Sequence, residues 1–178
     1  MNRAFSAILV SGLLLAAMSS CSTASANVHG NPSIALSISP GTVTPSGDVL
    51  VTVHATANRV HATAMQWRFR YDGNLISAVS VTVGPKSLNA QKTISCASQK
   101  DETRCILWGS NMKPIPDGDI AEAKFRLRVA SEIPKAVITL GHSEAVSSQG
   151  QSLVVVPALS TATIVNPRAL ARSFEFVC

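Results

Sequence analysis

Along most of the chain, apolar and polar positions alternate with a period of two. Ile34, Leu36 and Ile38 alternate with the small residues Ala35, Ser37 and Ser39 as far as Pro40-Gly41. Successive side chains of a strand point to opposite faces of its sheet, so this pattern predicts a half-buried strand. Thr44-Pro45-Ser46-Gly47-Asp48 predicts a turn, because proline fixes φ and glycine permits the reversal. Val49, Val51, Val53 and Ala55 then alternate with Leu50, Thr52, His54 and Thr56. The cleanest alternation sets Met65, Trp67, Phe69 and Tyr71 against Gln66, Arg68 and Arg70, and Asp72-Gly73-Asn74 ends it with a turn. It predicts four large side chains in a core and Gln66, Arg68 and Arg70 on a sheet surface.

The β-branched run from Ala78 to Val83 predicts a further strand. Residues Thr93 to Cys96 and Cys105 to Trp108 predict two short strands around a polar loop, Ala97 to Arg104. Pro114-Ile115-Pro116-Asp117-Gly118 reads as a rigid turn. Ala121, Ala123, Phe125, Leu127 and Val129 then alternate with Glu122, Lys124, Arg126 and Arg128. Val137 to Leu140, Leu153 to Val156 and Ala162 to Val165 complete the set, and no helical stripe is visible after the first 20 residues. About nine short strands separated by Gly, Pro and Asn turns predict an all-β domain, a β-sandwich or jelly roll, over residues 33–167. Residues 168–178 fall outside this rhythm as a C-terminal tail.

The first 20 residues, MNRAFSAILVSGLLLAAMSS, follow a different pattern. Arg3 supplies a positive start, and Ala7 to Met18 form a short apolar run ending in small residues. This is the layout of a signal peptide for export, and the run is short for a bilayer span. Met18-Ser19-Ser20-Cys21 resembles the lipobox of bacterial lipoproteins, in which the cysteine is acylated and becomes the first residue. That resemblance implies lipid attachment at Cys21 and a membrane-anchored protein of the cell envelope. The alternative site, Ala24-Ser25-Ala26, would release a secreted or periplasmic protein starting at Asn27. Residues 21–32, rich in Ser, Ala and Asn, suit a flexible tether.

Apolar residues make up 46% of the 178 positions, enough to build a core and to exclude wholesale disorder. The formal charge is +5, or +4 without Arg3, and it is scattered with no Lys/Arg run. Nucleic-acid binders concentrate such charge on one face and add a reading element, so nucleic acid is not an expected partner. An acidic partner or anionic surface fits the balance better. Of the four cysteines, Cys96 and Cys105 bracket the polar loop of the predicted hairpin and are expected to form a disulfide in an oxidising compartment. Cys178 is left as a buried free thiol or an intermolecular partner.

Catalytic chemistry is not visible. His29, His54, His61 and His142 are scattered without HExxH or other metal spacing. There is no G-x-S-x-G elbow, no phosphate-binding loop and no nominable pair of acids for glycoside hydrolysis. The expectation is a protein without enzymatic activity or cofactor. Asp72, Asp117 and Asp119 lie in predicted turns and are weak calcium candidates, since calcium takes several hard oxygen ligands. Turn chemistry accounts for them equally well. Sugar binding by stacking needs exposed rings, and Trp67, Phe69, Tyr71 and Phe125 are assigned to the core by parity. Trp108 stays ambiguous and is the candidate for ligand stacking.

Several segments together resemble the cohesin domains and their stand-alone bacterial relatives. Ile34 to Val53, with the linker Ser-Pro-Gly-Thr-Val-Thr-Pro-Ser-Gly-Asp, is similar to the family's opening. Met65 to Leu75 resembles its strand ending in Tyr-Asp-Pro-x-Leu, with Gly73 in place of the proline. Gly109-Ser110-Asn111, Pro114 to Ala121 and Phe125 resemble the stretch in which a turn starts a strand leading to a core Phe. Gly141 to Gln151 is similar to a later strand-to-loop segment. The resemblance implies a nine-stranded jelly-roll sandwich akin to carbohydrate-binding modules, and a role in protein–protein adhesion with a dockerin-like or other extracellular or envelope partner. It also implies that one sheet, containing strand 65–71 and hairpin strands 93–96 and 105–108, carries the partner-binding face, with Gln66, Arg68 and Arg70 on it. An ordinary solvated sheet face is the alternative for these residues. The alternatives for the whole protein are a carbohydrate-binding module serving polysaccharide degradation and a structural envelope lipoprotein without a dedicated ligand.

Overall fold

The computed structural model describes residues 31–44, 46–128 and 135–165, with the backbone alone at Val165. The expected leader, Cys21, most of the tether, Pro45, Val129, and the tail with Cys178 lie outside the described residues. The strands are β1 (Ser33–Ile38), β2 (Thr42–Val43), β3 (Asp48–Asn58), β4 (Ala62–Arg70), β5 (Ile76–Val83), β6 (Thr93–Ser98), β7 (Glu102–Trp108), β8 (Gly118–Leu127), β9 (Lys135–Ser147), β10 (Ser152–Pro157) and β11 (Thr161–Val165). Nine of them form one path, β5-β8-β3-β1-β10-β9-β4-β7-β6, while β2 adds to β3 and β11 adds to β9. β10 runs parallel to β1 and antiparallel to β9, so it joins the two layers of a jelly-roll sandwich. The ends of the path, β5 and β6, approach each other and nearly close the barrel.

The core lies where the alternation placed it. Ile34, Leu36 and Ile38 of β1, Val49, Val51 and Val53 of β3, and Met65, Trp67, Phe69 and Tyr71 at β4 are all buried. Trp67 meets Phe69 edge-on at 6.4 Å, and Phe125 receives Phe69 at 5.4 Å and Tyr71 at 5.8 Å in the same manner. Edge-to-face pairs set the positive rim of one ring against the negative face of the next, which adds to the area they bury.

Three local expectations are corrected. A short helix, α1 (Pro85–Asn89), stands where none was expected. At five residues it is too short to show a helical stripe, and Leu88 is exposed; its legible signal was Pro85 at the first helical position, where a missing N–H costs nothing. Residues 112–116 form no turn of their own, and the expected turn narrows to a bend at Asp117 before Gly118, whose φ is 124°. They strap the β3–β4 hairpin, because Ile115 is buried and its N–H donates to Ala62 O at 2.8 Å. The polar loop of the second hairpin is only 99–101, since β6 and β7 continue inward to Ser98 and Glu102.

On the back sheet, Asp48 starts β3 with its side chain only 4% exposed. Lys124 Nζ lies 2.8 Å from one carboxylate oxygen and Arg126 Nε 3.3 Å from the other, while Ser46 Oγ also donates. The Lys124 hydrogen bond, helped by Ser46 and Arg126, outweighs burial and holds this carboxyl below its usual 3.8. A depressed carboxylate stabilises the fold above its unfolded value, and that contribution disappears as pH falls through the folded value. Asp48→Asn is therefore expected to be less stable than the parent at neutral pH. The gap in thermal midpoint should narrow as pH drops below about 4; a gap independent of pH would show that Asp48 contributes otherwise.

Candidate functional site

The front sheet, β9-β4-β7-β6, presents a continuous outer face whose rows follow from register. Gln66 stands opposite Ile106, Arg68 opposite Arg104, and Arg70 opposite Glu102. On β6, Thr93, Ser95 and Ala97 extend the rows headed by Trp108, Ile106 and Arg104. On β9, Val146, Glu144, Gly141 and Thr139 extend them on the other side. The expected outward set Gln66, Arg68 and Arg70 is thus on one surface with Trp108, whose ambiguity is resolved: Cys105 and Leu107 are buried, while Ile106 and Trp108 are 44% and 49% exposed.

The face divides into two halves. One end is apolar, with Trp108, Ile106 and Val146 exposed beside small residues of β6. The other is cationic around a single acid. Glu102 lies 3.4 Å from Arg68 Nη1, 3.5 Å from Arg70 Nε and 4.0 Å from Arg104 Nη2. Arg70, Asp72 and Lys135 border an open depression next to these arginines. Glu102, Arg104 and Glu144 join the site beyond the expected set, since the sequence reading places Ala97 to Arg104 in a loop while β7 begins at Glu102.

Two devices shape the face. Between the pairs Gln66–Glu144 and Arg68–Gly141 the β9 register shifts, and His142 takes a positive φ of 39°. Such a bulge re-aims side chains. Here Glu144 accepts from Gln66 Nε2 at 2.7 Å and lies 3.3 Å from His142 Nε2. Beyond the open end of the hairpin, buried Lys92 donates to Asn111 O at 3.0 Å and Oδ1 at 3.1 Å, which fixes the chain just after Trp108. Burial, and then the charge of Lys113, pushes the Lys92 pKa below the ordinary lysine value.

The hairpin's closed end is locked from two sides. Tyr71 Oη lies 2.9 Å from Thr103 Oγ1, and the turn after β4 docks on the loop 99–101. Gly73 N donates to Asp101 Oδ1 at 3.0 Å, and a side chain on Gly73 would strike the carbonyl oxygen of Lys100. Proline, which the cohesin pattern carries here, has neither the N–H nor the room.

The calcium candidates are not brought together as a site. Asp72 Oδ1 accepts from Asn74 N at 2.8 Å, Asp117 Oδ1 from Ala57 N at 2.8 Å, and Asp119 Oδ1 lies 3.1 Å from His54 Nδ1. Among the described residues no group of three or more His, Cys, Asp or Glu is placed to hold a metal ion. No helix among them is long and apolar enough to cross a membrane.

Cys96 and Cys105 are joined by a disulfide across directly opposed positions of β6 and β7, with Cα atoms 4.2 Å apart. The bond ties the last strand of the path to the sheet beneath Ile106. In the chain-entropy picture, closing so short a loop stabilises by roughly 2–3 kcal/mol. Replacing Cys96 and Cys105 together by Ala should cost about that much in chemical denaturation. A loss below about 0.5 kcal/mol would show that β6 is held by its ladder alone.

No family model and no curated protein matches the chain. Solved structures do. The sixth cohesin of scaffoldin B from Acetivibrio cellulolyticus, crystallised with a Cel5 dockerin mutant, superposes with TM-score 0.61 at 17% identity, covering 75% of this chain and 98% of that one. A type I cohesin–dockerin complex from Clostridium thermocellum gives 0.61 at 12% identity over 75% and 98%. A non-cellulosomal cohesin from the archaeon Archaeoglobus fulgidus gives 0.54 at 19% identity over 82% and 99%. At these identities the likeness is one of fold: the described strands form a cohesin-type jelly roll.

Proposed function

We propose that this chain is an exported recognition domain of the cohesin type that adheres to another extracellular or envelope protein, of dockerin-like kind, through the outer face of β9, β4, β7 and β6. The observation that carries the reading is the composition of that face. Ile106 and Trp108 stand exposed on the sheet, one and two rows away from Arg68 and Arg104. Tryptophan and arginine are the residue types that most often anchor protein interfaces, because each combines large apolar area with directed donors. Several structures of the same fold are complexes with dockerins, which supports a protein as the occupant.

Trp108 also supports a carbohydrate-binding reading, but among the described residues it is the single exposed aromatic ring. A polysaccharide platform stacks successive sugars on several rings, so adhesion to protein is favoured. The leader and Cys21 support export and lipid anchoring in the cell envelope, with cleavage after Ala26 as the soluble alternative.

A photoreactive residue placed at Ile106 of the full chain, in the producing cell, is expected to give a protein adduct. The same residue at exposed Thr82, on the back sheet, should give none. Adducts with polysaccharide alone at Ile106 would favour the carbohydrate module, and none at either position a structural envelope component. Mass spectrometry of the native protein should find an acylated N-terminal Cys21; an unmodified terminus at Asn27 would remove the anchor.

A further inference from the structure

The cationic half of the face specifies the chemistry of what docks there, an inference that rests on the docking reading above. Arg68 and Arg104 stand directly opposite each other across β4 and β7. Like charges at such positions destabilise a sheet. Glu102 answers the cluster, but one carboxylate faces three guanidinium groups, so two positive charges stay unmatched. None of its contacts is short: at 3.4–4.0 Å they exceed the 2.7–2.9 Å of a strong charge-assisted bond.

Desolvation sharpens the imbalance. Arg68 is only 24% exposed, and its Nε is enclosed without an acceptor. A partly buried cation with a weak counter-ion gains more from a new anion than a solvated one does. Arg70 and Arg104 remain 66% and 51% exposed, so their donors are accessible. The depression beside Arg70 adds one charge of each sign, Lys135 and Asp72, so the excess of two stands.

We infer that the partner is a protein whose docking surface carries at least two Asp or Glu side chains, engaged by Arg70 and Arg104, beside an apolar side chain that covers Ile106 and Trp108. Guanidinium groups match carboxylates because both are planar and pair through two parallel bonds. The adjoining apolar end argues for a folded protein over a polyanionic glycan, whose sugar faces could stack on Trp108 but would leave the aliphatic Ile106 beside it uncovered. It argues equally against a lipid surface, since Ile106 and Trp108 lie flat within a sheet and cannot insert.

The test uses the protein captured at Ile106 and the carboxylates within its cross-linked peptide. Arg70→Glu with Arg104→Glu in the full chain is expected to weaken binding of that protein by about 100-fold. Changing the partner's two carboxylates to Lys should do the same to wild type and restore binding to the doubly reversed chain within about tenfold. Arg104→Glu removes the like-charge pair with Arg68 while Arg70→Glu creates one with Glu102, so the reversed chain should stay close to the parent's thermal midpoint; the neutral pair Arg70→Gln and Arg104→Gln, with an intermediate loss, serves if it does not. An adduct peptide without Asp or Glu, or reversals that leave binding unchanged, overturns this inference and leaves the docking face standing. Absence of any protein adduct at Ile106 overturns both.

Discussion

The structure depends on the two-fold pleat of β4. That strand sits between β9 and β7 in the middle of the front sheet, and each of its residues is committed to one side. Trp67 and Phe69 are wholly buried, while Arg68 between them carries its guanidinium to the outer face. A slip of one residue in register would drive arginines into the aromatic cluster and rings into water. The cost of burying an unpaired charge, several kcal/mol, is far above what any local ladder bond returns. Register here is therefore set by what both faces refuse, and β7 and β9 inherit it through their pairing.

From that strand outward, the hairpin β6–β7 is secured at three heights. Lys92 fixes its open end through Asn111, the disulfide ties its middle, and the turn at Gly73 docks on its tip. β6 ends the strand path, and an end strand is the part of a sheet most exposed to fraying or to pairing with another chain. Anchoring it at three points opposes fraying beside the outer face of β4 and β7, so the proposed docking there would cost little ordering entropy.

The legible part of the fold was whatever repeats every second residue. Strands β1, β3, β4 and β8 announced themselves because each has one buried and one solvated face, and their cores were assigned residue by residue. Helix α1 was hidden because five residues cannot display a period of 3.6. The strap 112–116 was hidden because Pro114 and Pro116 mark extended chain as readily as a turn; only Ile115, bonded to Ala62, distinguishes the two. In the site, Gln66, Arg68 and Arg70 were readable from parity alone. Glu102, Arg104 and Glu144 were not, because their place depends on how three strands align and on a bulge at His142, which one chain segment cannot show.

That alignment sets two arginines face to face at the centre of the sheet, and stability alone does not account for it. An acid at position 104 would stand opposite Arg68 and turn a repulsive pair into an attractive one. Glu102 sits instead one row away, opposite Arg70, where it softens the repulsion without cancelling it. On the back sheet a single acid is placed more tightly: Asp48 is buried beside Lys124 and Arg126, with a contact of 2.8 Å to the first. One acid for two cations on the back sheet, against one for three on the front, concentrates the local conflict on the front face. Such conflicts in an otherwise consistent fold are expected at functional surfaces, and the proposed docking of an acidic partner rests on that expectation.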